Sequence, residues 1–248
     1  MTVAATLPQA IDPLELYAAG IDTSDYVARV APVVANLVPQ IGNLLDIGAG
    51  GGQLGQALCQ PENHWTAIEP SDAMRRRLTA LARVPTILAS GWETATPTSA
   101  GYDTVLAANI AAPLNDAQAF LARCRQWARR AIAWVVPAQA GPRGLCLAGC
   151  LPSAWHGEDE TPGVDLVLKA LGDHNAPDAI AKTTWTFTAI VNDIERLAAY
   201  LADRLGWPAS DLRRSDMVAH LRQQARSTDR GYRLDVPRAS AVLVWRQA

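Results

Sequence analysis

Lysine is nearly missing from this chain of 248 residues: Lys169 and Lys182 are the only two, and every other basic side chain is an arginine. The 22 basic residues face 24 acidic ones, so no surplus of positive charge exists to coat a nucleic acid. Abundant alanine beside scarce lysine reads as a compositional bias more than as chemistry. Cysteine is sparse as well. Cys59, Cys124, Cys146 and Cys150 are too few and too scattered for a disulfide framework, and reduced thiols are the expectation. Met1 to Ile11 has neither a basic start nor a long apolar run, so it does not read as a secretory leader. The uncharged stretch from Val30 to Leu45 contains Pro32, Asn36, Pro39, Gln40 and Asn43 and is shorter than the ~18 residues of a membrane span. A soluble cytoplasmic protein without a membrane partner is therefore expected. No internal repeat or low-complexity tract is present.

What is present is alternation. Residues 13 to 37 read as one or two helices, with Asp22, Thr23 or Ser24 as caps for the second. Short apolar runs follow at 43–47, 64–68, 84–88, 102–108 and 131–136. Helical patterns at 51–59, 71–81 and 115–129 fill three of the four gaps between these runs. Strands that are apolar throughout, spaced by amphipathic helices, predict a doubly wound α/β fold with a mostly parallel sheet covered on both faces. The rhythm then breaks. Residues 138 to 178 are rich in glycine and proline, and an inserted cap is expected there. A strand at 183–190, helices at 193–205 and 212–224, and a last strand at 239–246 complete the chain.

The most informative stretch is Asp46-Ile47-Gly48-Ala49-Gly50-Gly51-Gly52, in which a strand runs into glycines and the glycines into a helix. Glycine permits a sharp turn at positive φ and lets a ligand approach where a Cβ would stand. Roughly 20 residues later the next strand ends in Ile68-Glu69-Pro70, the place from which a carboxylate accepts hydrogen bonds from ribose hydroxyls. Together these predict a nucleoside-binding crevice at the strand carboxyl ends. Gly50, Gly52 and Gly55 also satisfy the dinucleotide pattern GxGxxG, but that would start the turn two residues late. An acid just before the glycines, Asp46, suits a cationic ligand group better than a pyrophosphate.

On these residues the chain resembles the class I S-adenosylmethionine-dependent methyltransferases. The likeness rests on Asp46 to Gly52 and on Ala67-Ile68-Glu69-Pro70-Ser71. Ser90-Gly91-Trp92-Glu93 and the run from Tyr102 to Asn109 add to it. It covers roughly residues 40 to 137 and, more loosely, the final strand. It implies a seven-stranded sheet in a single domain over 1–248. That domain comprises N-terminal helices (1–40), a cofactor-binding core (41–137), an insertion or cap (138–182), and strands and helices completing the sheet (183–248). The resemblance also implies roles. Gly48, Ala49, Gly50 and Gly52 would pass under the methionine and ribose, and Asp46 would lie near the amino group. Glu69, followed by Pro70, would hold the ribose hydroxyls. Gly91 and Trp92 would flank the adenine, and Asn109 would face the methyl group or the acceptor.

The implied activity is methyl transfer from S-adenosylmethionine to a small-molecule acceptor. Three alternatives stand beside it: a protein or RNA acceptor, a nicotinamide-dependent oxidoreductase resting on GxGxxG, and a nucleoside-binding module without turnover. The Asn/Asp-Pro-Pro-aromatic strand-four motif of amino-methylating nucleic-acid enzymes is absent; Ala108-Asn109-Ile110-Ala111-Ala112-Pro113 stands there instead. Cys146 and Cys150 near His156, Glu158, Asp159 and Glu160 have metal-ligand chemistry, but their CxxxC spacing fits an apolar helix face better than a metal site. Arg75, Arg76 and Arg77 read as a solvated face, and Asp103 as a solvated or salt-bridged edge residue. Tyr17, Tyr26, Trp155, His156 and Trp185 are the residues expected near the acceptor, with the N-terminal helices and the 138–178 stretch as the candidates for the cover.

Overall fold

A computed structural model describes residues 11–110, 112–141, 147–157 and 159–247. Ala111, Cys146 and Glu158, and the start of the chain through Ala10, lie outside the described residues. Two helices open the fold, α1 (Pro13–Thr23) and α2 (Tyr26–Leu37). The alternating core follows as β1 (Leu44–Ile47), α3 (Gln53–Leu58), β2 (Trp65–Ile68), α4 (Asp72–Thr79), β3 (Thr86–Leu88), β4 (Tyr102–Ala108), α5 (Ala117–Trp127) and β5 (Ala128–Pro137). Then come α6 (Ser153–His156), α7 (Gly163–Leu171), β6 (Ala179–Val191), α8 (Ile194–Arg204), α9 (Arg213–Gln224), β7 (Arg226–Thr228) and β8 (Gly231–Arg246).

The strands form one sheet in the order β3-β2-β1-β4-β5-β8-β6, with β7 paired to β8. The first five are mutually parallel, and β8 enters antiparallel between β5 and β6. Seven strands make the main sheet as expected; the short β7 is an eighth. Every residue of β1 and β2 is buried, which is what a strand covered on both faces requires. One face packs against α1, α2, α3, α8 and α9 around Val30, Val34, Trp65, Phe187 and Leu201. The other packs against α5 and α7 around Phe120, Trp127, Trp134, Val167 and Trp245.

Chain order reverses at β1, which sits between β2 and β4, so a crevice opens at the carboxyl ends of β1 and β4. A second feature shapes this crevice. Pro137, the last residue of β5, pairs with Ser240, whereas β6 pairs with β8 along residues 232–244. The β6–β8 ribbon therefore continues past the end of β5 and walls the crevice. Helix α1 lies on this ribbon at close range: a Cβ on Gly20 would fall 2.1 Å from the Phe187 ring. Asp12 caps α1, accepting from Leu14 N at 2.8 Å and Glu15 N at 3.2 Å.

Several local expectations change. Helix α2 is preceded by Asp25, whose carboxylate accepts from Thr186 N of β6 at 2.7 Å, and it is not capped by the side chain of Asp22 or Thr23. Among the described residues of the 138–182 stretch, Gln139 reaches the crevice and α7 covers the sheet. This helix returns across the sheet beside α5, burying Val164, Val167 and Leu171. Residues 147–151 bury Leu147 and Leu151 in the opposite layer, where His220 Nε2 meets the Cys150 carbonyl at 2.7 Å. The physical reason is apolar content: these residues cover sheet, and a solvent-facing cap would leave them wet. Among the described residues no helix is long and apolar enough to cross a membrane.

Candidate active site

The crevice holds a cleft of about 780 Å³, within the range of small-ligand pockets. Its floor is the glycine turn. Ile47 and Gly48 leave β1, and Gly48 N donates to Ile68 O at 2.8 Å, tying the ends of β1 and β2 together. Gly48 has φ +62°, and a Cβ there would strike Ile110 Cγ2 at 2.3 Å. Gly50 has φ +56° and faces open space, with no atom within 4 Å of where its Cβ would stand. A side chain at Gly50 would both strain the backbone and fill the cleft. Gly52 turns the other way, packing against Leu78, Leu81 and Trp65, and neither Gly52 nor Ala49 lines the cleft.

Glu69 is buried at 5% exposure and grips this turn. One carboxylate oxygen accepts from Gly50 N at 2.8 Å and the other from Ser71 N at 2.8 Å. A carboxylate offers about four lone-pair sites, so acceptor capacity remains toward the cleft, which Glu69 and Pro70 both line. The loop itself is clamped from outside: Arg75 donates to Glu69 O at 2.9 Å and Pro70 O at 2.6 Å. Arg77 bridges α4 to Glu15 and Asp22 of α1. Two of the three arginines expected on a solvated face are thus structural ties, and only Arg76 is exposed.

Asp46 does not reach the cleft. It is 3% exposed on β1, and its carboxyl abuts Gly55, where a Cβ would come within 2.2 Å. Burial raises its pKa to about 7; the Trp65 indole opposes this and the Glu69 carboxylate adds to it. Gly91 and Trp92 line the cleft after β3 together with Glu93. Trp92 stands edge-on to Phe120 at 5.1 Å between ring centres, and Arg123 holds the loop by donating to the carbonyls of Glu93 and Ala95. Asn109 follows β4 with φ +54°, a conformation Asn tolerates better than most side chains, and it lines the cleft beside the glycine turn.

The cover comes partly from α1, which the sequence offered with Tyr17, and partly from α8 and the ribbon, of which the sequence offered only Trp185. Pro13, Leu14 and Tyr17 of α1, Tyr200 and Arg204 of α8, Gln139 after β5, and Trp185, Arg238 and Ser240 of the ribbon complete the lining. Of the residues expected near an acceptor, Tyr17 and Trp185 are here. Tyr26 is buried beneath Trp185 at 4.7 Å, and Trp155 packs on Trp207 and His220. His156 is buried and faces Glu160 at 3.5 Å. The Tyr200–Arg204 spacing of four residues, one helical turn, was the available sequence signal for the α8 contribution. Asp103 is salt-bridged to Arg129 at 3.1 Å and Arg130 at 3.4 Å, at the far end of β4. No three His, Cys, Asp or Glu residues cluster for a metal among the described residues.

No protein-family model matches the chain, and no curated protein matches its sequence. Solved structures do match its shape. A candidate methyltransferase from Bacillus halodurans superimposes with a TM-score of 0.50 at 11% identity, covering 87% of this chain and 97% of that one. A protein solved in a study of disulfide-to-thioacetal conversion in echinomycin biosynthesis does so with a TM-score of 0.51 at 13% identity, covering 88% and 82%. Magnesium protoporphyrin IX methyltransferase from Synechocystis, with S-adenosylhomocysteine bound, matches with a TM-score of 0.46 at 17% identity, covering 96% and 89%. The chain has the Rossmann-like methyltransferase fold.

Proposed function

We propose that this protein is an S-adenosylmethionine-dependent methyltransferase acting on a small molecule. The observation that carries the reading is the pairing of Glu69 with the Gly50 N–H beneath an open cleft at the carboxyl ends of β1 and β4. The residues fit the cofactor. Gly50 leaves a cradle that a Cβ would fill, and Glu69 keeps acceptor capacity for a pair of vicinal hydroxyls. Gly91 and Trp92 bound the adjacent slot, and the carboxylates of Glu69 and Glu93 favour a cationic ligand.

When bound, S-adenosylmethionine supplies a methyl group already activated by its sulfonium. The chain's own task is then positioning and exclusion of water. Gly48 and Gly50 let the backbone approach the ligand. Asn109, held in the left-handed region just after β4, lines the cleft beside the glycine turn and serves to orient the acceptor. Pro13, Leu14 and Tyr17 of α1 shield the site from solvent. No histidine or cysteine occurs among the described lining residues; Glu93, Tyr17 and Tyr200 are the lining groups that could take a proton, and an acceptor that is already nucleophilic needs none of them.

Isothermal titration with S-adenosylhomocysteine tests the reading. Binding at micromolar concentration is the expected result. Absence of binding at high micromolar ligand, or tighter binding of NADH in a parallel fluorescence titration, would overturn it. Tritium transfer into macromolecules but not into small extracts would exclude the small-molecule acceptor.

A further inference from the structure

The two ends of the cleft differ in charge. Its carboxylates, Glu69 and Glu93, sit beside the glycine turn and the loop after β3. Its guanidinium groups come from the other side: Arg238 from β8, which lies beyond β5 from β2 and β3, and Arg204 from α8. Aromatic side chains cluster with the arginines: Tyr17 from α1, Trp185 from β6 and Tyr200 from α8. We infer that this end is an acceptor subsite for a small aromatic anion, whose carboxylate or phosphate pairs with Arg204 and Arg238 while its ring lies among Tyr17, Trp185 and Tyr200.

The ribbon builds half of this subsite. Trp185 and Arg238 are direct cross-strand partners, so their side chains leave the same face side by side. Ser240 follows two residues on, and its hydroxyl accepts from Trp185 Nε1 at 3.0 Å, fixing the indole. The ring cannot turn away without breaking a buried hydrogen bond. Helix α8 builds the other half, with Tyr200 and Arg204 one turn apart on the face toward the cleft. Arginine suits this role because its planar fork matches carboxylate and phosphate and stacks on aromatic faces. The Glu69 end favours the sulfonium and ammonium of the cofactor, and the arginine end favours an anionic acceptor.

The inference rests on the proposed cofactor reading for the identity of the other end, and the test separates the two. Calorimetry is run on the intact protein with three probes of similar ring size: 4-hydroxybenzoate, phenyl phosphate and uncharged 4-hydroxybenzamide. Each is titrated with and without saturating S-adenosylhomocysteine. At least one anion should bind tenfold or more tightly than the amide, and which one does distinguishes carboxylate from phosphate. Arg238→Gln or Arg204→Gln should erase that preference while leaving S-adenosylhomocysteine affinity within about twofold. Equal binding of the amide, no binding of either anion at about 5 mM, or a preference that survives both substitutions overturns the subsite. Failure of S-adenosylhomocysteine to bind overturns the cofactor reading instead, since the anion preference is read without it.

Discussion

Replacing Glu69 by glutamine is the sharpest perturbation of the proposed site. Glu69 receives two backbone N–H groups, from Gly50 and Ser71, each at 2.8 Å on a different oxygen. An amide has only one oxygen, so one N–H would meet an NH₂ group and lose its partner, at a cost of about 1–3 kcal/mol. At ~2–4 °C per kcal/mol for a chain of this size, the melting temperature should fall by roughly 2–12 °C. The ligand effect is separate. Each ribose hydroxyl would exchange a charged acceptor for a neutral one, losing about 1 kcal/mol, so two hydroxyls lose about 2 kcal/mol, or roughly 30-fold in affinity. Calorimetry with S-adenosylhomocysteine on the folded variant reads this directly. Glu93→Gln is the control for a loss of negative charge at the same end of the cleft. Affinity within threefold of the parent, or an equal loss in the control, refutes the idea that Glu69 holds the cofactor by its own bonds.

Gly50→Ala should retain the fold with a cost of about 1–2 kcal/mol for its positive φ, yet lose S-adenosylhomocysteine binding; Gly52→Ala should destabilise through Leu78 and Trp65 and spare the cleft wall. Thermal melts paired with calorimetry compare the two. Asp46 should make stability depend on pH. Because burial lifts its pKa from 3.8 to about 7, the folded state binds its proton more tightly, and this stabilisation is full below pH ~4 and lost as pH rises through about 7. Asp46→Asn removes that dependence, so melting temperatures of variant and parent should diverge from pH 4 to 8, with a ceiling of about 4 kcal/mol; parallel curves would contradict it. Gly20→Ala forces a methyl into the Phe187 ring and should cost about 1–3 kcal/mol, seen as a lower melting temperature with altered Tyr17 packing.

The glycine turn and its acid were legible in the sequence because both obey local rules. A strand, a positive-φ turn and a carboxylate at a fixed chain separation need no distant partner to be recognised. Trp92 and Asn109 came from the family resemblance, which points to the ends of the third and fourth strands. Asp46 shows the limit. Its place in the motif was visible, but only the register of β1 between β2 and β4 shows the side chain turned toward Gly55 and away from the cleft. The three consecutive arginines show it too: chain proximity made them look alike, and only packing of α4 against α1 and the Glu69–Pro70 loop separates Arg75 and Arg77 from Arg76.

The sequence by itself determined the alternating α/β core and the glycine-turn end of the crevice, since short apolar runs and glycine signals are local. The assembly of its other end was decided by tertiary structure. Leu14, Gln139, Trp185, Tyr200 and Arg238 lie far apart in the chain, and what unites them is a β6–β8 ribbon that outruns β5 and a helix brought down onto it by Gly20. Long-range pairing of this kind leaves no periodic trace, which is why α1 and Trp185 were expected near the acceptor but Tyr200, Arg204 and Arg238 were not.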